Sequence, residues 1–348
     1  MKLKKIINTI LLSGFLTITP VIIWQYQLIG YGLAQLKGQL QIVWNAKPIE
    51  EALIDPSFPD SMKMKLILIQ EIKAFATDKL GINDSKNYTK VYHQEGKTLL
   101  WVLTASEPYC LKAKEWNFPF LGAVSYKGFF NQSASLKEEA ALKAAGYDID
   151  MGKVSGWSTL GWFEDPILSD MLKNSEGDLA NLIIHELTHA TLYVKDNVDF
   201  NENLASFIGD KGALLFLEYK FGKDSKPYRE YIESRTDEEI FNNYILNGAG
   251  RLDSLYNTFG KKDSRKFKEN KKSKLIHEIV SGIEELPLYN KELYLRIAEK
   301  ARMKKNAFFM SYMRYGSKLN EFEDEYATKF NADLKAYLEH LKVLYPSL

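Results

Sequence analysis

Residues 181–206 read NLIIHELTHATLYVKDNVDFNENLAS, and this stretch decides how the second half of the chain is organised. Two of the five histidines, His185 and His189, lie four positions apart here, with Glu186 directly after the first. The apolar residues around them recur with the period of an α-helix, so both imidazoles are expected on one helix face. Two imidazoles on one face can bind a single tetrahedral metal ion.

Glu186 is expected beside this ion rather than on it, because one residue advances an α-helix by about 100°. A carboxylate in that place can act as a general base toward a water molecule. With so few histidines, chance produces an HExxH in on the order of one in a hundred such chains. A second His-Glu pair, His277-Glu278, has Ser281 where its partner histidine would be needed. We interpret that second pair as a helix-surface dipeptide.

A third protein ligand is needed, and no further histidine lies close enough in the sequence to supply it. Asp196 and Asp199 lie in a polar break whose composition is typical of a turn. Glu202 opens the next helical pattern, and an antiparallel return of that helix brings its carboxylate beside the histidines. We favour Glu202 over the two aspartates. The sequence therefore predicts a Zn²⁺ site whose ligands are His185, His189 and Glu202.

HELTH followed by FNENLAS resembles the glutamate-zincin pattern, HExxH and then NExx(A/S). More extensively, the chain resembles the bacterial family of putative aminopeptidases. The blocks that carry this resemblance are YGLAQLKGQLQIV, KPIEEALIDPSFPDSMKMKLILIQEIKAFA, FPFLGAVSYKGFF, AAGYDIDMGKVSGWSTLGWFEDPIL, HELTHATLYVKDNVDFNENLASFIGDKG and NAFFMSYMRYG. The resemblance implies a zinc metallopeptidase, and specifically an aminopeptidase, that acts on a peptide or protein substrate.

The resemblance also implies groups that a peptidase needs besides its ligands and base. Gluzincins often take an oxyanion donor from the helical half, and Tyr312 and Tyr315 lie in the block NAFFMSYMRYG. The stretch 156–163, GWSTLGWF, is a candidate strand edge for pairing with an extended peptide, or else a buried structural strand. Glu107 and Asp165, each followed by proline, are candidates for binding a substrate amine, although acid-proline pairs are also typical of turns.

Other functions stay open on the sequence. One is a zinc endopeptidase of the cell envelope, which would cleave substrates whose N-terminus is blocked. Another is a zinc-stabilised binding or scaffold protein without catalysis, although a purely structural site does not require Glu186. A third is a membrane-tethered interaction module in which the HExxH is fortuitous.

The N-terminus predicts a membrane anchor over residues 1–27. MKLKK is basic, and residues 6–24 carry no charge over a length close to the thickness of a bilayer core. The positive-inside rule then places the N-terminus in the cytoplasm and the body on the periplasmic or cell-envelope side. Family members often carry a lipoprotein cysteine, but Phe15 follows LLSG here, which favours a transmembrane segment. A cleaved signal peptide is the alternative.

The rest of the chain predicts an α+β fold. Helical patterns cover 28–54, 61–81, 135–147, and nearly everything after 179, including 201–220, 226–247, 264–284, 290–303 and 317–343. Runs rich in β-branched and aromatic residues predict strands over 98–105, 120–130 and 154–163. We therefore expect one body over 28–348: helical over 28–81, a small mixed sheet over 88–165, and a mainly helical half over 175–348 that carries the HExxH helix.

Composition limits the remaining classes. Lys and Arg number 46 against 45 Asp and Glu, which leaves no electrostatic case for binding nucleic acid. Cys110 is the single cysteine, so an intrachain disulfide and a CxxC metal site are excluded, and we expect its side chain to be buried. The basic run 261–274 is interpreted as a solvated helix face or loop, with contact to anionic lipids as the alternative.

Overall fold

The computed structural model describes residues 26–118, 122–153, 164–195, 197–313 and 319–345. The α-helices are α1 (Tyr26–Asn45), α2 (Ile49–Ile54), α3 (Asp60–Leu80), α4 (Gln132–Ala144), α5 (Glu176–Thr191), α6 (Val198–Phe221), α7 (Lys226–Asn257), α8 (Arg265–Ser281), α9 (Lys291–Lys304), α10 (Asn306–Met313), α11 (Leu319–Lys329) and α12 (Leu334–Leu344). The strands are β1 (Lys47–Pro48), β2 (Lys90–Tyr92), β3 (Trp101–Ser106), β4 (Trp116–Phe118), β5 (Gly122–Val124), β6 (Lys127–Phe129), β7 (Asp148–Lys153) and β8 (Ile167–Leu168).

The strands of the described residues form three small sheets. One is mixed, with the order β1-β2-β8, because β1 pairs antiparallel and β8 parallel with β2. The second is antiparallel, with the order β6-β3-β7, and Leu103 of β3 lies opposite Lys127 and Met151. The third is the antiparallel pair β4-β5. The predicted α+β class, mostly helical with small sheets, is confirmed, although the single predicted sheet is divided into three.

The apolar core positions the HExxH helix. The largest cluster joins α3, α5 and α6, and its fully buried members include Ile69, Ile183 and Ile208. A second cluster joins α7 to α10 around Phe241 and Ile279, and a third lies between α4 and the antiparallel sheet. Because α5 packs against both α3 and α6, its two histidines are carried by one of the most enclosed helices among the described residues.

Three of the predicted elements are divided in the structure. The helix predicted over 28–54 is interrupted at Pro48, which cannot donate a helical hydrogen bond and instead lies in β1. The strand predicted over 120–130 contains two strands, β5 and β6, that belong to different sheets. The helix predicted over 317–343 is divided into α11 and α12, because Asn331 takes a left-handed conformation with φ of 50°.

Single-residue predictions had mixed outcomes. The helix predicted over 61–81 is α3, which begins one residue earlier, at Asp60, and ends before Gly81, whose φ is 75°. The expectation of a buried Cys110 was wrong, because this residue lies exposed in the turn after β3. Lys272 lies in the basic run that was predicted to be solvated, but it is buried. Its ammonium forms an ion pair with the carboxylate of Asp148, at the start of β7.

Among the described residues, no helix is both long enough and apolar enough to cross a membrane. The anchor predicted over 1–27 lies outside those residues except for Tyr26 and Gln27. The strand predicted over 154–163 lies outside them as well.

Candidate active site

The helix α5 forms where the sequence pattern indicates. Ser175 caps its start by accepting a hydrogen bond from the Asp178 backbone N–H at 3.1 Å, and acidic residues in the first turn complement the helix dipole. The buried residues Ile184 and Leu187 face the core. The helix ends at Thr191, because the next residue, Leu192, is extended.

Asn201 sets the turn that returns the chain from α5 to α6. Its side-chain oxygen accepts from the Val194 backbone N–H, and its side-chain amide donates to the Val194 carbonyl, each at 2.8 Å. Asn197 then caps α6 by accepting from the Phe200 N–H at 3.3 Å. Because Glu202 directly follows the buried Asn201, this turn also determines where the Glu202 carboxylate lies. Sequence reasoning missed this role, for which the Asn-Glu pair was the available signal.

The structure brings His185, His189 and Glu202 together. The two imidazole Nε2 atoms are 3.2 Å apart, and each lies 3.6 Å from a different oxygen of the Glu202 carboxylate. Ligand atoms about 2.0–2.1 Å from a tetrahedral zinc ion lie about 3.4 Å from one another. The three side chains therefore have the mutual separation that one such ion requires.

The neighbouring aspartates do not share this arrangement. Asp199 is exposed in the first turn of α6 and is not part of the cluster, and Asp196 lies outside the described residues. Among the described residues, the cluster formed by His185, His189 and Glu202 is the one group of three or more potential ligands close enough to hold a metal ion.

Burial and charge favour a cation in this cluster. The His189 side chain is 5% exposed, and burial together with the charge of His185 lowers the pKa of His189 to about 4. The neighbouring imidazole of His185 lowers the pKa of Glu202, against the opposing effect of burial. Near neutral pH, His189 is therefore neutral and Glu202 is ionised, which are the protonation states that bind zinc. Glu202 is 40% exposed, so the cluster opens to solvent on its side.

Two glycines allow α6 to approach α5 closely. A methyl group at Gly209 would lie 3.1 Å from the Asn181 carbonyl oxygen and 3.2 Å from the His185 Cβ. At Gly212 it would lie 3.0 Å from the Ile184 Cγ2. These distances are shorter than ordinary van der Waals contact, so a side chain at either position would widen the separation of the two helices. The distance between Glu202 and the histidines depends on that separation.

Glu186 lies on α5 but is not part of the ligand cluster, as its position one residue from His185 predicts. It is half-buried, and its negative charge acts on the phenol of Tyr88. Asp165, one of the two candidates for binding a substrate amine, is buried, and its negative charge acts on the same phenol. Sequence reasoning missed Tyr88, since nothing in its local pattern distinguishes it from the other tyrosines.

The structure does not place Tyr312, one of the two predicted oxyanion donors, in this cluster. Tyr312 packs in the second apolar cluster, where its ring contacts those of Phe241 and Phe308. Burial, with the charge of Glu238, raises the pKa of Tyr312 to about 12, so its phenol is neutral near pH 7. Tyr315 lies outside the described residues. The catalytic roles of both tyrosines stay predictions.

A family model described as putative aminopeptidase matches residues 30–346. This range includes α5, α6 and every residue of the candidate cluster. A search of curated proteins and a search of solved structures each found no match.

Proposed function

The chain belongs to the putative aminopeptidase family, and on that premise we propose that it is a zinc-dependent peptidase that removes residues from the N-terminus of peptides. The observation that carries the proposal is the cluster of His185, His189 and Glu202, whose ligand atoms all lie within 4.8 Å of one another. A peptidase family implies a peptide substrate, and two imidazoles with one carboxylate are a donor set found in catalytic zinc sites.

The side chains have separable roles in this proposal. His185, His189 and Glu202 would hold the zinc ion, which would supply Lewis acidity and lower the pKa of water. Glu186, beside the ligands, accepts the proton of the attacking water and delivers it to the leaving amine. His185 and Glu202 are partly exposed whereas His189 is buried, so the peptide approaches from the solvent side and His189 anchors the cluster in the core.

Metal analysis combined with peptide digestion tests the proposal. We expect about one zinc per full-length chain, and hydrolysis of unblocked peptides that stops with a chelator and returns with added zinc. N-acetylated copies of the same peptides should resist cleavage, whereas an envelope endopeptidase would cleave both. Stoichiometric zinc without hydrolysis of any member of a peptide library would favour the scaffold alternative. Hydrolysis that is indifferent to the chelator would exclude a zinc mechanism.

The proposal also places the body outside the cytoplasm, behind the predicted anchor. The charge bias of MKLKK and the uncharged residues 6–24 support this orientation. A reporter fused after Leu348 is expected to be active only in an extracytoplasmic format, with the fusion retained in membranes after a high-salt wash. A shortened body in the soluble fraction would favour signal-peptide cleavage instead.

A further inference from the structure

Tyr88 is a buried tyrosine in an uncommon backbone conformation. Its φ is 59°, in the left-handed region that residues with a β-carbon seldom adopt. The residue is 0% exposed, and in the part of the chain that the structure describes its hydroxyl has no hydrogen-bond partner. Buried hydroxyl groups without a partner are uncommon, because the group loses its bonds to water without replacement. Both features call for an explanation at this one position.

The backbone around Tyr88 is held from several sides. The Tyr88 N–H donates to the Asp165 carbonyl at 2.7 Å, and the Asp165 N–H donates to the Asn87 side-chain oxygen at 3.1 Å. The Lys73 ammonium donates to the carbonyls of Ser85 and Asn87. Strained conformations persist where such contacts over-determine them, and they concentrate at functional sites. The segment therefore holds the Tyr88 backbone in this conformation.

Tyr88 packs in the same apolar cluster as Leu187 of α5, and two carboxylates act electrostatically on its phenol. They are Glu186, on α5, and Asp165, just before β8. Burial, reinforced by these two charges, raises the pKa of Tyr88 well above its usual value. The phenol is therefore protonated and can donate a hydrogen bond, and a carboxylate is a strong acceptor for it.

We propose that Tyr88 is a positioning residue for Glu186: its buried hydroxyl donates a hydrogen bond, directly or through one water, that aligns the Glu186 carboxylate when a peptide occupies the site. This inference rests on the proposed function. Hydrogen bonds of catalytic groups often tighten only in the substrate complex, which accounts for a hydroxyl without a partner in the free protein.

Tyr88→Phe tests the inference, with Tyr337→Phe as a matched control. Tyr337 is also fully buried in the largest cluster, but its hydroxyl already bonds to the Glu325 carboxylate at 3.0 Å. Tyr88→Phe is expected to leave the zinc content unchanged. The melting temperature should stay the same or rise, because the substitution removes an unpartnered hydroxyl. It should lower kcat about 10-fold, with KM within about twofold. Tyr337→Phe should lower the melting temperature and leave kcat unchanged.

The outcomes separate this inference from the proposed function. If the wild-type protein shows chelator-sensitive hydrolysis and Tyr88→Phe retains its kcat, the role of Tyr88 is wrong and the proposed function stands. A melting temperature that falls in Tyr88→Phe as it does in Tyr337→Phe would assign the hydroxyl a structural role and overturn the inference. If Tyr88→Phe lowers kcat by the same factor in a Glu186→Asp background, the hydroxyl does not act through Glu186. Absence of hydrolysis in the wild type overturns both proposals.

Discussion

At the scale of single residues, Glu186 and Glu202 are two glutamates with different tasks beside the same histidines. Glu202 lies 3.6 Å from both imidazoles, whereas Glu186 is outside the ligand cluster. Glu186→Gln is therefore expected to retain about one zinc and lose at least ~10²-fold in hydrolysis, because it removes only the proton acceptor. Glu202→Gln should weaken zinc binding itself, since a neutral amide is a poorer zinc ligand than a carboxylate.

Elemental analysis and kcat, measured on the same preparations, check this pair of variants. The two substitutions change shape and charge identically, so each is the control for the other. Wild-type turnover in Glu186→Gln would exclude a glutamate-assisted mechanism. Equal zinc content in both variants would mean that Glu202 is not a ligand.

The three ligands of the cluster could be predicted from the sequence, whereas Tyr88 could not. His185 and His189 were predictable as neighbours because a helix places residues i and i+4 on one face. Glu202 was predictable because one short turn separates its helix from theirs. Tyr88 was not, since its proximity to Glu186 arises from packing between distant segments, and one tyrosine among 20 carries no signal of its own.

At the scale of helices, the separation of α5 and α6 is a condition for the ligand cluster. Gly209→Ala is expected to push α6 away from α5, because the methyl group would meet a backbone carbonyl at 3.1 Å that cannot rotate aside. Displacing the Glu202 carboxylate by even a few tenths of an ångström should lower the rate of hydrolysis by about 10-fold or more, since catalysis is sensitive to misplaced groups on that scale. The zinc affinity and the melting temperature should fall as well.

Gly250→Ala is the matched control for this change. Gly250 also lies within a helix, α7, but apart from the adjacent backbone of that helix no atom of the described residues lies within 4 Å of where its methyl group would be. Alanine there should stabilise the protein by about 1 kcal/mol through helix propensity alone and leave hydrolysis unchanged. If Gly209→Ala behaves like Gly250→Ala in zinc titration, kinetics and thermal unfolding, zinc binding and hydrolysis do not depend on the close approach of α5 and α6.

The presence of a helix was easier to predict from the sequence than the residue at which the helix is interrupted. Apolar periodicity located the helices that became α5 to α9, but the same periodicity continues across Pro48 and across Asn331, where the chain changes direction. Periodicity reports which face of a segment is apolar, and it carries no information about a single residue that leaves the helical conformation. The division into three sheets was missed for a related reason, because six of the eight described strands have only two or three residues and are too short to establish a pattern.

At the scale of the whole molecule, one buried ion pair joins the antiparallel sheet to the helical half. The Lys272 ammonium on α8 contacts the Asp148 carboxylate at the start of β7 and donates to the Pro108 carbonyl at 2.7 Å. Asp148 also accepts from the Asn306 N–H, at the start of α10, at 3.1 Å. The sequence order of helices, strands and helices could be predicted, but this junction could not. Lys272 occurs in a run of lysines whose other members give no sign that one of them is buried.

Removing one partner of this pair should be costly for the whole fold. Burial lowers the pKa of Lys272 and raises that of Asp148, which means that each charge is tolerated in the interior chiefly because of the other. Lys272→Met leaves the Asp148 carboxylate buried without its cation, and it should lower the free energy of unfolding by about 3–5 kcal/mol. Denaturant unfolding of the full-length protein measures this change.

The double variant Lys272→Met/Asp148→Asn distinguishes loss of the pair from loss of packing. With both charges removed, no uncompensated charge stays in the interior, so the double variant should be more stable than either single variant. Lys97→Met supplies an exposed control, because Lys97 pairs with Glu95 at the surface and salt and water already weaken that interaction. It should leave the unfolding curve unchanged. If Lys272→Met unfolds at the same denaturant concentration as Lys97→Met, the sheet and the helical half are not held together by this pair. The other contacts between them, such as the Lys304–Asp150 ion pair and the apolar packing, must then join them.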